Sequence, residues 1–348
     1  VSFFPQLLQG PIGRYERLGE QLYEGHAYDL KNIQFGLQRI LWGMLKKMVL
    51  ADRVNAAVTL IFNNYWNYGG WINVFGVILY SIQLYADFSG GIDITIGIAQ
   101  MFGITMDENF RQPYFSRSIS EFWRRWHITL GTWMKDYIFY PFSLSRCMNK
   151  FGKWCKKTFG NNVGKLLPVS LANLLVFFIV GIWHGAAWKY IMYGMYNGVI
   201  IAASGMLAPV YARIHESLHI NPKSWWYQVF CIIRTFILVN IGFYFDMAPD
   251  LHAANVMLLD TVTKAHLSQI SMATVKAVGL TAQDLIIVAA GCIIIFVVSV
   301  LKEKGIKIRE AVASRNIVLR WFIYIVFIMF ILIYGSTSTT SDFIYANF

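Results

Sequence analysis

Charged residues are scarce in this sequence, and that scarcity limits the possible classes of protein. Only 14% of the 348 residues are charged, whereas soluble globular proteins contain about 25%. Hydrophobic residues make up 56%, and the mean hydropathy is +0.47. This composition excludes a disordered chain, a collagen-like repeat and a coiled coil, and it argues against a string of soluble domains. A polytopic membrane protein is the class that remains.

Cysteine is also scarce, and the motifs of several soluble enzymes are absent. The four cysteines form no CxxC pair, and no histidine stands beside them at metal-ligand spacing. We therefore expect free thiols, with neither a disulfide framework nor a metal site. No GxSxG elbow, Walker loop, GxGxxG fingerprint or HExxH sequence occurs, so nothing supports a soluble hydrolase, kinase or metalloprotease.

Acidic residues are outnumbered by basic ones, 19 to 30, which gives a formal charge of +11 and a pI near 9.4. In a membrane protein this excess requires no nucleic-acid partner, because short cytoplasmic loops are rich in Lys and Arg. Segments 143–165 and 302–320 each carry six basic residues, and we expect both to be cytoplasmic loops. Segment 248–283 is balanced in charge and is expected outside. The alternation places the C-terminus outside as well.

Long apolar runs are what the sequence has in abundance. A helical span requires about 20 mostly apolar residues. Six segments are predicted to span the membrane, at roughly 72–101, 166–183, 187–208, 226–247, 284–301 and 319–335. The apolar stretch 33–66 is interrupted by charges and could form one charged span or two short helices. The aromatic and arginine-rich stretch 119–142 must be enclosed by protein or line a watery cavity.

The organisation of the chain is expected to be simple. No fixed-period repeat or long linker divides it, so we predict an all-α fold with one transmembrane domain over residues 1–348. The first residues include no Met and lack the charged region and apolar core of a signal peptide. The sequence is therefore expected to lack part of the N-terminal region of the whole protein.

Polar residues inside apolar segments mark candidate functional sites, because burying them in a membrane is costly. The first such group lies within residues 85–93 and contains Tyr85, Asp87, Ser89 and Asp93. Two glycines in the same stretch permit either a break or close helix packing. We favour a packing role, with carboxylates paired to nearby arginines, over direct catalysis. A role in shaping the site stays open.

The second group begins with Ser118 and Glu121, which predict a capping box and a helix start near Ile119. If that helix continues, one face carries four residues at spacings of three and four, namely Trp123, His127, Leu130 and Met134.

Arg124 and Arg125 would point away from that face, where they could meet phosphate or buried carboxylates. For His127 the structural and functional interpretations are about equally balanced.

The third group is Gly181–Trp188, at the junction of two predicted spans. Gly185 allows the backbone to turn closely, and the two alanines that follow leave room beside His184. A neutral imidazole in a roomy, apolar place is a good general base near neutral pH. We therefore favour a functional role for His184 over that of a hydrogen-bonded histidine at a helix end.

These groups resemble the membrane-bound O-acyltransferase family. The resemblance rests on four motifs, Phe110–Phe115, Glu121–His127, Trp133–Tyr137 and Trp183–Gly185. Within the family, the branch of alginate O-acetyltransferase membrane subunits is the most similar. Three further stretches match that branch, namely Phe3–Ile12, Tyr85–Gly90 and Ser341–Tyr345.

The resemblance implies a many-helix bundle around a central funnel or tunnel. It also implies that additional N-terminal helices are missing here. Two polar core positions of the family match His127 and His184, and the second is the catalytic histidine. The implied reaction is acyl transfer, in which His184 takes a proton from an acceptor hydroxyl, or from a relay nucleophile, and His127 steadies the developing oxyanion.

The implied acyl donor is acetyl-CoA or another acyl thioester, reached from the cytoplasmic side as a co-substrate, with no bound cofactor. Weaker candidates for contacts with the donor or substrate are Arg124, Arg125, Trp123, Lys135, Asp136 and Trp183. Expected partners are membrane lipid, a polysaccharide acceptor and an extracytoplasmic acyltransferase, at the bacterial cytoplasmic membrane.

The leading hypothesis is O-acetylation of an exported cell-surface polysaccharide. A rival within the same family is transfer of D-alanine from a carrier protein to teichoic acid. The polar interruption at residues 87–93 would also suit a transporter. A scaffold without catalytic activity is the fourth hypothesis.

Overall fold

The computed structural model describes residues 3–266, 269, 271–336 and 343, and the regular elements within these ranges are all helical. The α-helices are Tyr15–Tyr23, Leu30–Met44, Asp52–Asn63, Trp71–Met101, Ile119–Arg125, Ile128–Met134, Tyr140–Ser143, Arg146–His184, Trp188–Met206, Ala208–Ser217, Trp225–Met247, Leu251–Thr263, Met272–Ala277, Ala282–Glu303, Ile308–Ala313 and Ile317–Tyr334. Two π-helical segments, Leu45–Ala51 and Lys135–Phe139, and three 3₁₀ turns, Phe4–Gln6, Tyr65–Asn67 and Pro113–Phe115, connect them. The all-α prediction is confirmed. Of the matching segment Ser341–Tyr345, only Phe343 lies among the described residues.

Several helices are long and apolar enough to cross a membrane. In the described part of the chain five qualify alone, namely Trp71–Met101, Val163–His184, Trp225–Met247, Ala282–Glu303 and Ile317–Tyr334. Trp188–Met206 and Ala208–Ser217 qualify together, as a pair bent by 57°. These six correspond to the six predicted spans. The charged stretch 33–66 forms one helical run through the Leu45–Ala51 segment.

The chain forms two compact units, one of residues 1–109 with 259–348 and the other of residues 110–258. In the first unit, the Leu30–Met44 helix packs against Trp71–Met101 at glycines. A Cβ atom at Gly36 would lie 2.5 Å from the Gly97 carbonyl oxygen, and one at Gly43 would lie 2.5 Å from that of Gly90. The backbones therefore touch, as small residues permit in membrane helices. Trp71–Met101 continues unbroken through residues 85–93, so Gly90 serves packing there.

Buried ion pairs join the same two helical runs. Asp93 accepts hydrogen bonds from Arg39 Nε at 2.8 Å and from Lys46 Nζ at 2.5 Å. Lys47 Nζ lies 2.6 Å from Asp87 and 2.9 Å from Asp52. The charges that interrupt stretch 33–66 therefore neutralise the carboxylates of the Trp71–Met101 helix. The sequence predicted arginine partners for these carboxylates, and in the structure two lysines as well as an arginine pair with them.

The two basic segments, predicted to be loops between spans, contain helices. In segment 143–165, the Ser145 hydroxyl accepts from Met148 N at 3.2 Å and begins a helix that continues to a left-handed kink at Gly160, where φ is 83°. Much of segment 302–320 also lies in helices. Lysine and arginine are good helix formers, so a high charge does not by itself prevent helix formation.

In the second unit, Val163–His184 and Trp188–Met206 form a tight hairpin. A Cβ atom at Gly181 would lie 2.6 Å from the Tyr190 carbonyl oxygen, and one at Gly194 would lie 2.9 Å from Gly181 N. Trp225–Met247 packs against the second helix of the hairpin. The third group of the sequence analysis, Gly181–Trp188, therefore lies at the turn of the hairpin.

Candidate active site

The helix predicted at Ile119 begins there, because the Ser118 hydroxyl accepts from Glu121 N at 3.1 Å. The Glu121 carboxylate accepts from Arg117 N at 2.9 Å rather than from the Ser118 backbone. It also pairs with Arg125 Nη2 at 2.9 Å. Arg125 is therefore held by a carboxylate of its own helix.

The prediction of one helical face carrying Trp123, His127, Leu130 and Met134 is wrong, because the helix ends at Arg125 and a second begins at Ile128. Trp126 adopts extended backbone and forms an antiparallel bridge with Phe110. The Trp126 indole is buried, and the Phe110 ring meets it edge-on at 5.0 Å. This packing interrupts the helix and leaves His127 in the left-handed region, at φ 46° and ψ 54°.

His184 is the last residue of its helix and is buried, with 6% of its surface exposed. Its Nδ1 atom lies 3.7 Å from Oδ1 of Asp246, whose side chain is 3% exposed. Asp246 comes from the end of the Trp225–Met247 helix. A buried histidine therefore faces a buried carboxylate from a different helix, an arrangement that can fix the orientation of an imidazole ring.

Aromatic rings surround His184. The Tyr190 ring is roughly parallel to the imidazole at 6.1 Å, and the Tyr193 ring meets it edge-on at 5.4 Å. Gly185 is required beside this cluster, because it has φ 146° and a Cβ atom there would lie 2.8 Å from the Tyr190 ring. The glycine thus allows the tyrosine to pack next to the turn.

Trp183 contacts both candidate histidines. Its ring centroid lies 5.0 Å from that of His184 and 5.8 Å from that of His127. Burial, with a further contribution from His184, lowers the pKa of His127 to about 3. His127 is therefore neutral near pH 7 and can donate or accept one hydrogen bond. The two motifs that the sequence proposed as separate groups meet at one site.

Trp123 also belongs to this region. Its Nε1 donates to Asn197 Oδ1 at 3.0 Å, and its ring lies 6.3 Å from that of Tyr193. Trp123 therefore contacts residues that line the His184 side of the hairpin.

The remaining candidates for donor contacts lie on more exposed parts of the second unit. Arg124 is exposed and donates to the Ser120 hydroxyl at 2.8 Å. Lys135 Nζ lies 5.3 Å from the centroid of the Tyr140 ring, and Asp136 is exposed. Arg124 and Lys135 thus contact residues that are close to them in the chain.

The site-shaping candidates lie on Trp71–Met101, in the first unit. Besides the ion pairs of Asp87 and Asp93, Ser89 accepts a hydrogen bond from Lys46 Nζ at 2.8 Å. The Tyr85 ring centroid lies 5.8 Å from the same nitrogen. All four therefore belong to, or border, the buried ion-pair network.

Sequence reasoning missed Asp246 and Lys189. Lys189 Nζ donates to the carbonyl oxygens of Ala248 at 2.7 Å and of Asp246 at 3.3 Å, which holds the end of the aspartate's helix. A signal was available, because Asp246 is an acidic residue within an apolar span and such residues are functional by default. Within the described ranges, no three His, Cys, Asp or Glu side chains lie together as metal ligands.

Comparison with known proteins identifies the family. The sequence profile of MBOAT, the membrane-bound O-acyltransferase family, matches residues 1–245. A probable alginate O-acetylase AlgI of Pseudomonas syringae pv. tomato is 33% identical over 259 residues, which cover 74% of this chain and 44% of the relative. A peptidoglycan O-acetyltransferase of Helicobacter pylori is 32% identical over 284 residues, covering 77% and 48%.

A teichoic acid D-alanyltransferase of Bacillus subtilis is 29% identical over 266 residues, covering 72% of this chain and 61% of the relative. The chain thus spans about half the length of the curated relatives it matches. The profile match extends over more than half of the sequence and includes both candidate histidines. The chain therefore belongs to the membrane-bound O-acyltransferase family.

Proposed function

We propose that this protein transfers an acyl group, acetyl in the favoured case, from a thioester donor to hydroxyl groups of an exported cell-surface polysaccharide. Support comes from the family and from relatives named for acyl transfer to alginate, peptidoglycan and teichoic acid. The observation that carries the proposal is the placement of buried His184 Nδ1 at 3.7 Å from Asp246 Oδ1.

In the proposed reaction, His184 Nε2 takes the proton of an acceptor hydroxyl. The hydroxyl oxygen attacks the thioester carbonyl carbon, and a new C–O bond forms. The C–S bond then breaks, and the leaving thiolate receives the proton from the imidazolium. This sequence leaves His184 neutral and ready for another cycle.

Asp246 orients the base in this proposal. A proton on His184 Nδ1 points toward the carboxylate, so Nε2 presents its lone pair to the acceptor. The carboxylate also stabilises the imidazolium formed during the reaction, and burial strengthens that interaction. The separation of 3.7 Å is longer than a hydrogen bond, and such contacts commonly tighten when substrate binds.

His127 supplies the second role. Because it is neutral and shares Trp183 with His184, it can donate a hydrogen bond without adding a positive charge beside the base. We assign that donation to the oxyanion of the tetrahedral intermediate.

The remaining parts of the proposal concern the acyl donor and the orientation of the protein in the membrane. Acetyl-CoA or another acyl thioester approaches from the cytoplasm, where Arg124 and Lys135 are available for its phosphates. Basic segments 143–165 and 302–320 lie on that side of the bacterial inner membrane, and the C-terminus lies outside. An extracytoplasmic acyltransferase completes delivery to the polymer.

The test uses the whole protein in its polymer-producing host. Wild type, His184→Ala and a deletion strain are compared with His252→Ala, a matched change at an exposed histidine outside the site. Esters are released from the surface polymer by mild base and identified by mass spectrometry. Loss of acetate in the deletion and His184→Ala strains, with retention in His252→Ala, is the expected result.

Different outcomes lead to definite corrections. Loss of D-alanine instead of acetate would indicate that the protein transfers D-alanine to teichoic acid. Loss of ester on deletion, with a normal level in His184→Ala, would overturn the assignment of the general base. An unchanged polymer in every strain would contradict acyl transfer to that polymer and favour a transporter.

A further inference from the structure

The basic helix before the Val163–His184 span is not needed for the proposed chemistry. Between Arg146 and Lys165 there are six basic residues and no acidic one. Four of them recur at intervals of four, three and four residues, which places them on one helical face. These four exposed residues are Arg146, Lys150, Lys153 and Lys157.

The other side of this helix is apolar. Met148 and Cys155 are buried. Trp154 and Phe159 are 53% and 52% exposed, and their rings meet edge-on at 5.7 Å. The helix therefore presents a cationic face bordered by exposed aromatic rings, the pattern of an interfacial helix.

The kink at Gly160 places this helix beside the beginning of the span. A Cβ atom at Gly164 would overlap the Lys156 backbone, and one at Gly152 would lie 3.4 Å from Pro168 Cγ. The helix therefore folds back along residues 164–168. Only 28% of the apolar window of this span is buried by the described residues, so the cationic face borders the beginning of a span whose apolar surface is largely exposed.

We propose that this surface, made of Arg146, Lys150, Lys153 and Lys157, binds the headgroups of anionic phospholipids in the leaflet at that end of the span. Ammonium and guanidinium groups complement phosphate, while indole and phenyl rings prefer the boundary between headgroups and acyl chains. An acidic protein is a less suitable occupant, because two half-exposed aromatic rings beside a membrane span favour contact with lipid.

The test compares two matched variants of the full-length protein in nanodiscs. Lys150→Gln/Lys153→Gln/Lys157→Gln removes three charges from the proposed surface. Lys302→Gln/Lys304→Gln/Lys307→Gln removes three exposed charges from the other basic segment. Phosphatidylglycerol and phosphatidylcholine retained after extraction are counted by native mass spectrometry, with size-exclusion chromatography as the check of folding.

Wild type and the 302–307 variant should retain several-fold more phosphatidylglycerol than phosphatidylcholine. The 150–157 variant should lose at least half of the excess, and added salt should produce a similar loss in wild type. Equal losses in the two variants would show nonspecific attraction and overturn the assignment. Retention unchanged in the 150–157 variant would also overturn it and would direct the search to an acidic protein partner.

Discussion

His184 and Asp246 lie on different helices and meet only because the Trp188–Met206 helix packs against both of their helices. In the proposed mechanism, Asp246 acts on the reaction through the histidine ring. Its side chain is a positioning group, and His184 is the group that touches the substrate. This distinction leads to different kinetic expectations for the two residues.

Asp246→Asn should lower kcat of polymer esterification by roughly 10- to 100-fold with little change in KM, because the imidazolium loses its counter-charge in the transition state. His184→Ala should lower kcat by roughly 10²- to 10⁴-fold. Initial rates in membranes containing each variant would check both values. Asp246→Glu should recover part of the lost rate, and a purely structural aspartate would show no such recovery in kcat.

His127 provides a prediction about pH. Its pKa is about 3 in the folded protein and about 6.5 in an unfolded chain. The unfolded state therefore binds the proton first as the pH falls, and folding stability should decrease from pH 6.5 toward pH 3. The decrease due to this residue is at most about 1.4 kcal/mol per pH unit.

Thermal unfolding of wild type and His127→Gln at pH 7.5, 6.5 and 5.5 would measure this effect. The melting temperature of the wild type should fall relative to that of His127→Gln as the pH is lowered, because unfolded wild type takes up a proton on His127 and glutamine takes up none. A difference in melting temperature that stays the same at all three pH values would contradict a neutral, buried His127.

At the scale of helices, close packing at glycines decides which elements can approach. Gly43 is in the Leu30–Met44 helix, and a Cβ atom there would lie 2.5 Å from the Gly90 carbonyl oxygen. Gly205 is also helical, and a Cβ atom there would meet nothing within 4 Å. The same substitution at the two sites should therefore change the stability of the protein by different amounts.

Gly43→Ala should destabilise the protein by about 1–3 kcal/mol, because the helices must separate to admit the methyl group. Gly205→Ala should be neutral or slightly stabilising, because alanine favours the helix. Melting temperatures of the purified proteins would compare them. Similar melting temperatures for the two variants would argue against the close crossing at Gly43.

The break after Arg125 shows how tertiary contacts change an element. Local sequence at Ser118 and Glu121 predicted the start of a helix correctly. The end of that helix was not predictable from the same residues, because it depends on the burial of Trp126 beside Phe110. The free energy gained by burying an indole side chain exceeds the free energy that the helix propensities of the neighbouring residues contribute.

At the scale of the whole molecule, the buried ion pairs of the first unit hold helical runs that are distant in sequence. Asp93 receives Arg39 and Lys46, and its side chain is 13% exposed. Asp107 pairs with Arg17 at a site where the two side chains are 38% and 72% exposed. These two aspartates form a matched pair for measuring the value of burial.

Asp93→Asn should lower the free energy of unfolding by about 3–5 kcal/mol, because it leaves two buried cations without their shared carboxylate. Asp107→Asn should change it by less than about 1 kcal/mol, since the exposed pair is screened by water. Denaturation of both variants in the same detergent would measure the difference. Equal effects would show that the buried network contributes no more than a surface pair.

The sequence by itself determined the helical class, the six apolar spans and the two histidine motifs, because apolar run length and short motifs are local properties. It also indicated that the carboxylates at residues 87 and 93 would be paired. Tertiary structure decided that His127 and His184 share Trp183 and that Asp246 faces His184. Those relationships depend on which helices cross and how closely glycines allow them to approach, and residues far apart in the chain set both.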